Sequence, residues 1–208
     1  MPADNFFVHP SAVLDAPLRF LQGCQRWEVG NDSKLAPQTL PTRVFIGPHA
    51  CIGTGASIGE GVVIDAYCRV EPHAVVGANS MILYRGTVGV QANVGEWCVI
   101  GGSVSENTIV EDHVTTFGKL IHTHWDSLSS WDFREEAEPS PIIRTRSFIG
   151  HDARVIGGVE VGPRAYVCAG ATVSRDVPPF HIAFGTNKIQ HYREWRGKLR
   201  NNPLFQES

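Results

Sequence analysis

The chain carries little charge for its length: Asp, Glu, Lys and Arg make up 19% of 208 residues, and the formal net charge is −3. No basic cluster runs longer than a few residues, so the electrostatic footprint of a nucleic-acid binder is missing. No apolar run approaches the ~18 residues that a membrane span needs. The opening stretch, residues 1–15, has neither the basic start nor the apolar core of a secretory signal. Cysteine occurs at Cys24, Cys51, Cys68, Cys98 and Cys168, widely spaced and without a Cys-x-x-Cys pair. Such an odd, scattered set fits free thiols in a reducing cytoplasm rather than disulfides or a zinc ribbon. Methionine is scarce at two residues, whereas glycine reaches 21 and proline 13. With 42% apolar residues there is material for a core and no case for intrinsic disorder, and the expectation is one turn-rich β domain.

A period of six decides the architecture. Ile or Val stands at Ile46, Ile52, Ile58, Ile64, Val70, Val76, Ile82, Val88, Val94 and Ile100, and again at Ile143, Ile149, Val155, Val161, Val167 and Val173. Four places after each aliphatic the residue is small, as in Ala50, Ala56, Cys68, Ala74, Ala92, Cys98, Ser147 and Ala165. The residue directly after the aliphatic is Gly in seven of the first ten hexads, which reads as a supply of easy backbone turning. Neither an amphipathic helix nor an alternating strand has this period. A hexad is a short strand plus a turn, and three of them close a triangular coil with the aliphatic and the small residue inward. Coils stacking as parallel strands about 4.8 Å apart make a β-solenoid. Weaker hexads extend it at Val8, Leu14 and Leu40, and a three-residue slip brings the expected inward positions to Ile109 and Thr115. The total predicts about seven coils.

Two interruptions stand out because a solenoid has no reason to break its own repeat. Residues 21–39 lack the period and read as a surface excursion or cap. Residues 122–141, HTHWDSLSSWDFREEAEPSP, are far longer than register requires and read as an external loop rich in Trp and His. The expected organisation is a solenoid domain over 1–185 and a tail over 186–208. In that tail Ile189, Tyr192, Trp195 and Leu199 stand near helical spacing and predict a short helix.

The hexads resemble the hexapeptide-repeat, left-handed β-helix superfamily over most of residues 8–185, and the left hand of the helix is implied by that resemblance alone. The superfamily is dominated by acyltransferases, mostly homotrimers with sites between adjacent prisms. The loop is similar to that of the xenobiotic acetyltransferases, which carry His-x-x-Asp-x-Ser-Thr-Tyr-Pro-Phe. Here the stretch reads from His124 through Trp125, Asp126, Ser127, Leu128, Ser129, Ser130, Trp131 and Asp132 to Phe133, with the carboxylate one place early and Asp in place of Pro. The resemblance implies His124 as catalytic base, with His122 as the competing choice and Asp126 as the accompanying carboxylate. Trp125 and Trp131 are candidate walls for the acceptor. Residues 169–180, AGATVSRDVPPF, look like the last coil and exit turn of acyl-CoA-dependent members. That makes Ala169, Gly170, Arg175 and Lys188 the candidates for holding CoA, the two cations through its phosphates. The same stretch and His9-Pro10-Ser11-Ala12-Val13 also resemble the acyl-carrier-protein-dependent acyltransferases of lipid A synthesis.

His49, His73 and His151 fall on outward turn positions. No two histidines stand five apart, as the zinc site of a γ-type carbonic anhydrase would have them. The chemistry implied is acyl transfer, most simply acetyl from acetyl-CoA to a hydroxyl or amine of a sugar, nucleotide sugar or small natural product, without a metal. A histidine suits the base because its reference pKa of about 6.5 lies near working pH. Transfer from an acyl carrier protein and a non-catalytic scaffold are the other readings. The expected protein is a cytoplasmic homotrimer with small-molecule partners and no nucleic-acid or membrane partner.

Overall fold

A computed structural model of the chain describes residues 6–15, 18–21, 26–29, 44–123 and 138–206. The hexads fold as two-residue strands joined by four-residue corners, as in Cys51–Ile52, Val63–Ile64 and Arg69–Val70. Each strand pairs in parallel with the strand three hexads on: Ile46 with Ile64, Ile52 with Val70, Ile58 with Val76. The result is a parallel β-solenoid of about seven turns, its three sheets containing ten, eight and eight strands. The first face runs through Ile46, Ile64, Ile82 and Ile100, the second through Ile52, Val70 and Val88, the third through Ile58, Val76 and Val94. Every Ile and Val at the repeating sixth position of the two main blocks is at most 1% exposed. Each such burial stabilises the coil by about 1.5–3 kcal/mol. The small residues pack beside them at the corners, with Ala50, Ala56, Cys68, Ala74, Ala92 and Cys98 all fully buried. Where that position is Ser80, its hydroxyl donates to the Gly95 carbonyl at 2.8 Å and accepts from the Cys98 N–H at 2.9 Å.

The corners turn differently from the sequence expectation. The left-handed residue is the third after the aliphatic, with φ of 58° at His49, 59° at Tyr67 and His73, and 57° at Trp97. Glycine directly after the aliphatic serves close stacking instead. A Cβ on Gly53 would lie 2.5 Å from the Pro72 nitrogen, and one on Gly77 would lie 2.4 Å from the Gly95 carbonyl carbon. Glycine therefore lets one coil rest on the next, while a mixed set of residues tolerates the left-handed position.

The expected slip is also corrected. Two successive corners between the first and second faces each lose two residues, so Ile100 is followed inward by Val104, and Thr116 by Leu120. The register that results buries Val110 and Thr116 at 1% and 0% exposure, while Ile109, expected inward, is 43% exposed. Only glycine fits the first short corner, since a Cβ on Gly102 would stand 1.9 Å from the Gly118 carbonyl oxygen. The inward Thr116 hydroxyl accepts from the Gly118 N–H at 3.3 Å.

Antiparallel hairpins sit at the ends of two sheets. Leu18–Leu21, at the entry to the first aperiodic stretch, pairs with Arg26–Val29 inside it, which lies antiparallel on Ser57–Gly59 at the edge of the third face. At the far end His181–Phe184 pairs with Lys188–His191. The tail is thus a strand and three short 3-10 turns, Tyr192–Glu194, Lys198–Asn201 and Pro203–Phe205, and not the expected α-helix. Sheet pairing captures Ile189, the extended residues Trp195 and Gly197 interrupt the run, and Pro203 starts a new turn. Phe205 anchors the end, 4% exposed and stacked on Tyr192 at 4.8 Å. Among the described residues no helix is long and apolar enough to cross a membrane.

Outward rows distinguish the faces. The first presents Phe7, Phe45, Val63, Met81, Val99, Thr115, Phe148 and Tyr166 in unbroken register, without a charge. Phe7, Phe45 and Met81 are 46%, 39% and 40% exposed. The second presents Arg69, Lys119 and Arg154 among hydroxyls. The inward register predicts that Ala92→Leu overpacks a corner and lowers stability by roughly 1–3 kcal/mol. Asn93→Leu, on the next and outward residue, should stay within about 0.5 kcal/mol of wild type. Equal losses in denaturant unfolding would show the register to be wrong.

Candidate functional site

The second break in the repeat falls on the edge between the second and third faces. One turn below, that corner holds the four residues Ser105–Thr108 between Val104 and Ile109. In the loop-bearing turn the strand Lys119–Ile121 runs into His122 and Thr123, and the chain returns through Glu138–Pro141 to Ile142–Ile143. The excursion leaves the stack undisturbed, for Ile109 and Val110 pair with Ile142 and Ile143. Its neck is closed by the Thr123 N–H donating to the Pro139 carbonyl at 2.8 Å. From below, the Ser140 hydroxyl donates to the Glu106 carbonyl at 2.8 Å. From above, the Gly157 N–H donates to the Ile121 carbonyl at 2.8 Å. The turn above comes close enough that a Cβ on Gly157 would lie 2.9 Å from the Thr123 hydroxyl, and one on Gly158 3.0 Å from Pro139.

His122 is the ionisable centre of this neck. Its Nε2 stands 3.0 Å from Glu138 Oε2 and 3.4 Å from Glu106 Oε1, with side-chain exposures of 15% for His122, 8% for Glu138 and 43% for Glu106. Nδ1 is shielded from solvent. The three ligand-type atoms lie within 4.8 Å of one another, the one such group among the described residues. His124, Trp125, Asp126 and Trp131 lie outside the described residues. Of the catalytic candidates, then, the structure describes His122 and adds two carboxylates that sequence reasoning missed.

The CoA candidates divide into two groups. Extending the register from Ile121 and Ile156 puts Arg175 level with Gly157 and His122, so it lies on the loop's edge, two turns along. At the spacing of stacked strands that is about 10 Å. Ala169 and Gly170 occupy the other edge of the second face, where the Thr172 N–H donates to the Gly185 carbonyl at 2.7 Å and Lys188 begins the returning strand. All four are exposed.

Other reactive groups are committed to the fold. His49 stacks on Tyr67 at 4.9 Å and His151 on Phe117 at 4.5 Å. The His73 ring occupies the space beside Gly55. Arg144 binds Glu111 at 2.7 Å and Glu160 at 2.9 Å, and its hydrogen bonds hold the Glu160 carboxyl below the usual carboxylate range. Burial pushes the Cys68 and Cys98 thiols up to about 11, which makes them packing groups rather than nucleophiles.

Comparison with known proteins agrees with this architecture. Residues 42–66 and 142–175 match the family model described as the hexapeptide repeat of succinyl-transferase. The chain is 23% identical over 193 residues to the bifunctional protein GlmU of Desulfitobacterium hafniense, covering 90% of this chain and 40% of that protein. It is 29% identical over 171 residues to GlmU of Clostridium perfringens, covering 81% and 31%. It therefore spans less than half the length of these curated relatives. Among solved structures it is similar to a UDP-N-acetylglucosamine acyltransferase, at 15% identity, TM-score 0.48, and 90% and 71% coverage. It is also similar to PerB from Caulobacter crescentus in complex with CoA and GDP-perosamine, at 21% identity, TM-score 0.30, and 88% and 56% coverage. In its period of six, its triangular parallel solenoid and the match over residues 42–66 and 142–175, the chain is similar to hexapeptide-repeat proteins.

Proposed function

We propose that the chain is an acyltransferase that moves an acyl group, most simply acetyl, from a CoA thioester to a hydroxyl or amine of a sugar, nucleotide sugar or similar small acceptor. The observation that carries this reading is the neck of the external loop. A corner that needs four residues one turn below instead holds residues 124–137 between two fixed ends. Support also comes from the family match, whose description names a succinyl-transferase, and from the resemblance of the loop sequence to acetyltransferases.

His124 is the base in this proposal, and His122 is a positioning residue. The Nε2 of His122 already faces two carboxylates, and its Nδ1 is turned away from solvent, so an incoming acceptor has no open nitrogen there. In the reaction the acceptor's O–H or N–H gives its proton to the His124 imidazole while its lone pair forms a bond to the thioester carbon. The tetrahedral oxyanion then collapses, the C–S bond breaks, and the CoA thiolate leaves and takes up the proton. The thioester is already activated, so binding, orientation and proton transfer are the tasks left to the protein. Arg175, exposed on the loop's edge, or Lys188 would meet CoA phosphates in this reading, and Trp125 and Trp131 would wall the acceptor.

A base on a loop needs a second wall, which closed threefold assembly supplies. The uncharged aromatic and aliphatic row of the first face is the surface proposed for that contact. Light scattering should give three times 22.8 kDa for the wild type. Met81→Glu, which puts a charge in the middle of the row, should shift the mass toward the monomer; an unchanged mass removes this face from the assembly.

His124→Ala should lower single-turnover rates with a hydroxyl acceptor by about 10² to 10⁴, the usual worth of general-base catalysis, while CoA affinity changes little. His122→Ala should cost less, acting through the loop's neck. A His124→Ala protein that keeps more than about a third of the wild-type rate, against the loss a general base entails, would exclude His124. Loss confined to His122→Ala would make His122 the base.

A further inference from the structure

We propose that Lys119 and Arg154, outward on the second face, hold the phosphate of a phosphate-linked sugar acceptor. The two residues are register partners on neighbouring strands, so two exposed cations stand about 4.8 Å apart at the backbone. Like charges set directly opposite one another on a sheet destabilise it. Elsewhere the chain relieves its outward cations. Arg69, lower in the same column, meets Glu71 two residues on at 2.7 Å, and Arg144 meets Glu111 and Glu160. Two residues after Lys119 and Arg154 stand Ile121 and Ile156 instead. Among the described residues neither cation has an ion-pair partner, and Asp152 on the neighbouring corner tip supplies none.

The column around the pair presents donors. Below Lys119 stands Ser103, whose Oγ accepts from the Thr87 hydroxyl at 2.8 Å, which leaves the Ser103 O–H to donate elsewhere. Above Arg154 stands Thr172, and from Thr87 to Thr172 the outward column carries no carboxylate. An ammonium, a guanidinium and a hydroxyl on three successive strands match the oxygens of a phosphate or diphosphate ester, the guanidinium through paired N–H bonds. One side of the column is also cleared. The short corners Gly101–Gly102 and Phe117–Gly118 lead straight into Ser103 and Lys119, without the two further residues of a full corner beside them.

Position assigns the phosphate to the acceptor rather than to CoA. Lys119 opens the strand Lys119–Ile121, which runs into His122 at the loop's neck, about 10 Å away at the rise of an extended strand. A sugar ring bonded directly to its phosphate suits that separation. In CoA the whole pantetheine arm stands between the phosphates and the thioester, and that arm is longer than the strand. The identity of the ligand as an acceptor rests on the acyl-transfer reading, whereas the phosphate site is tested without turnover.

The test is calorimetric titration of the full chain with inorganic pyrophosphate, UDP-glucose and CoA. Pyrophosphate should bind at one site per chain, UDP-glucose should displace it, and CoA should bind alongside it. Lys119→Ala and Arg154→Ala should each weaken pyrophosphate binding by about 10-fold or more, the usual worth of a hydrogen bond to a charged group, and leave CoA affinity unchanged. Their melting temperatures without ligand should match or exceed that of the wild type, because a like-charge contact is gone. A pair with a merely structural role would lose stability instead. Arg69→Ala and Lys198→Ala, which remove cations elsewhere, should bind pyrophosphate as the wild type does. Absence of pyrophosphate binding in the wild type overturns the inference, as does wild-type affinity in both variants or failure of UDP-glucose to displace pyrophosphate. Competition between pyrophosphate and CoA, with CoA affinity lost in the variants, would put the donor on this face and overturn the acceptor assignment. Pyrophosphate binding that needs Lys119 and Arg154, in a chain that binds no CoA, would sustain the phosphate site and overturn the CoA-dependent reading.

Discussion

Stacking of one coil on the next, with the backbone hydrogen bonds directed along the axis, is the constraint on which the rest of this molecule depends. It allows one aliphatic side chain per strand inward and leaves room at each corner only for something the size of Ala, Ser, Cys or Val. It also sets the glycines: at Gly53 and Gly77 a methyl group would strike the backbone of the next coil. Turning is a separate demand, met by residues as different as His49, Asn79 and Trp97 in the left-handed region. Packing therefore imposes a strict rule on the interior and a loose one on the corner tips.

Axial bonding has a second consequence. Because each strand is satisfied by its neighbours above and below, a corner's contents can change without disturbing the register. The two shortened corners at Gly101–Gly102 and Phe117–Gly118 subtract residues, and the external loop adds them, yet Val104 still lies on Leu120 and Val110 on Ile143. The closure cost of a loop grows only slowly with its length. Chemistry in such a fold is accordingly expected at the corners, and the candidate site lies at the corner rebuilt between Thr123 and Glu138.

The same physics explains what could be read from sequence. Where packing dictates the residue the pattern is legible, and Ile46 to Ile100 and Ile143 to Val173 point inward as the period requires. Between them the short corners carry no repeat, so the expected register fell one residue away from Val110 and Thr116. That error also hid the site. An 18-residue coil would set His122 above Val104, whereas the 16-residue coil that includes Phe117–Gly118 sets it above Glu106. Glu138 was obscure for another reason: it belongs to an acidic run whose return to the prism no local pattern marks. In the tail, apolar spacing suggested a helix, but strand pairing with His181–Phe184 outweighed a weak local preference.

The neck bears physically on the proposed base. A base carried on an extruded segment is useful only if its ends are held, since unrestrained ends would leave the ordering to be done at each turnover. Thr123 to Pro139 supplies one restraint through the backbone, and Gly157–Gly158 above permits the close approach that it needs. His122 supplies the other by meeting carboxylates from the turn below and from the returning chain. A group so engaged gains positional value as it loses availability for proton transfer. The proposed division of labour, a clamping His122 and a reacting His124, rests on that conflict. The clamp engages its ring nitrogen with carboxylates, whereas the proposed base requires an unoccupied nitrogen.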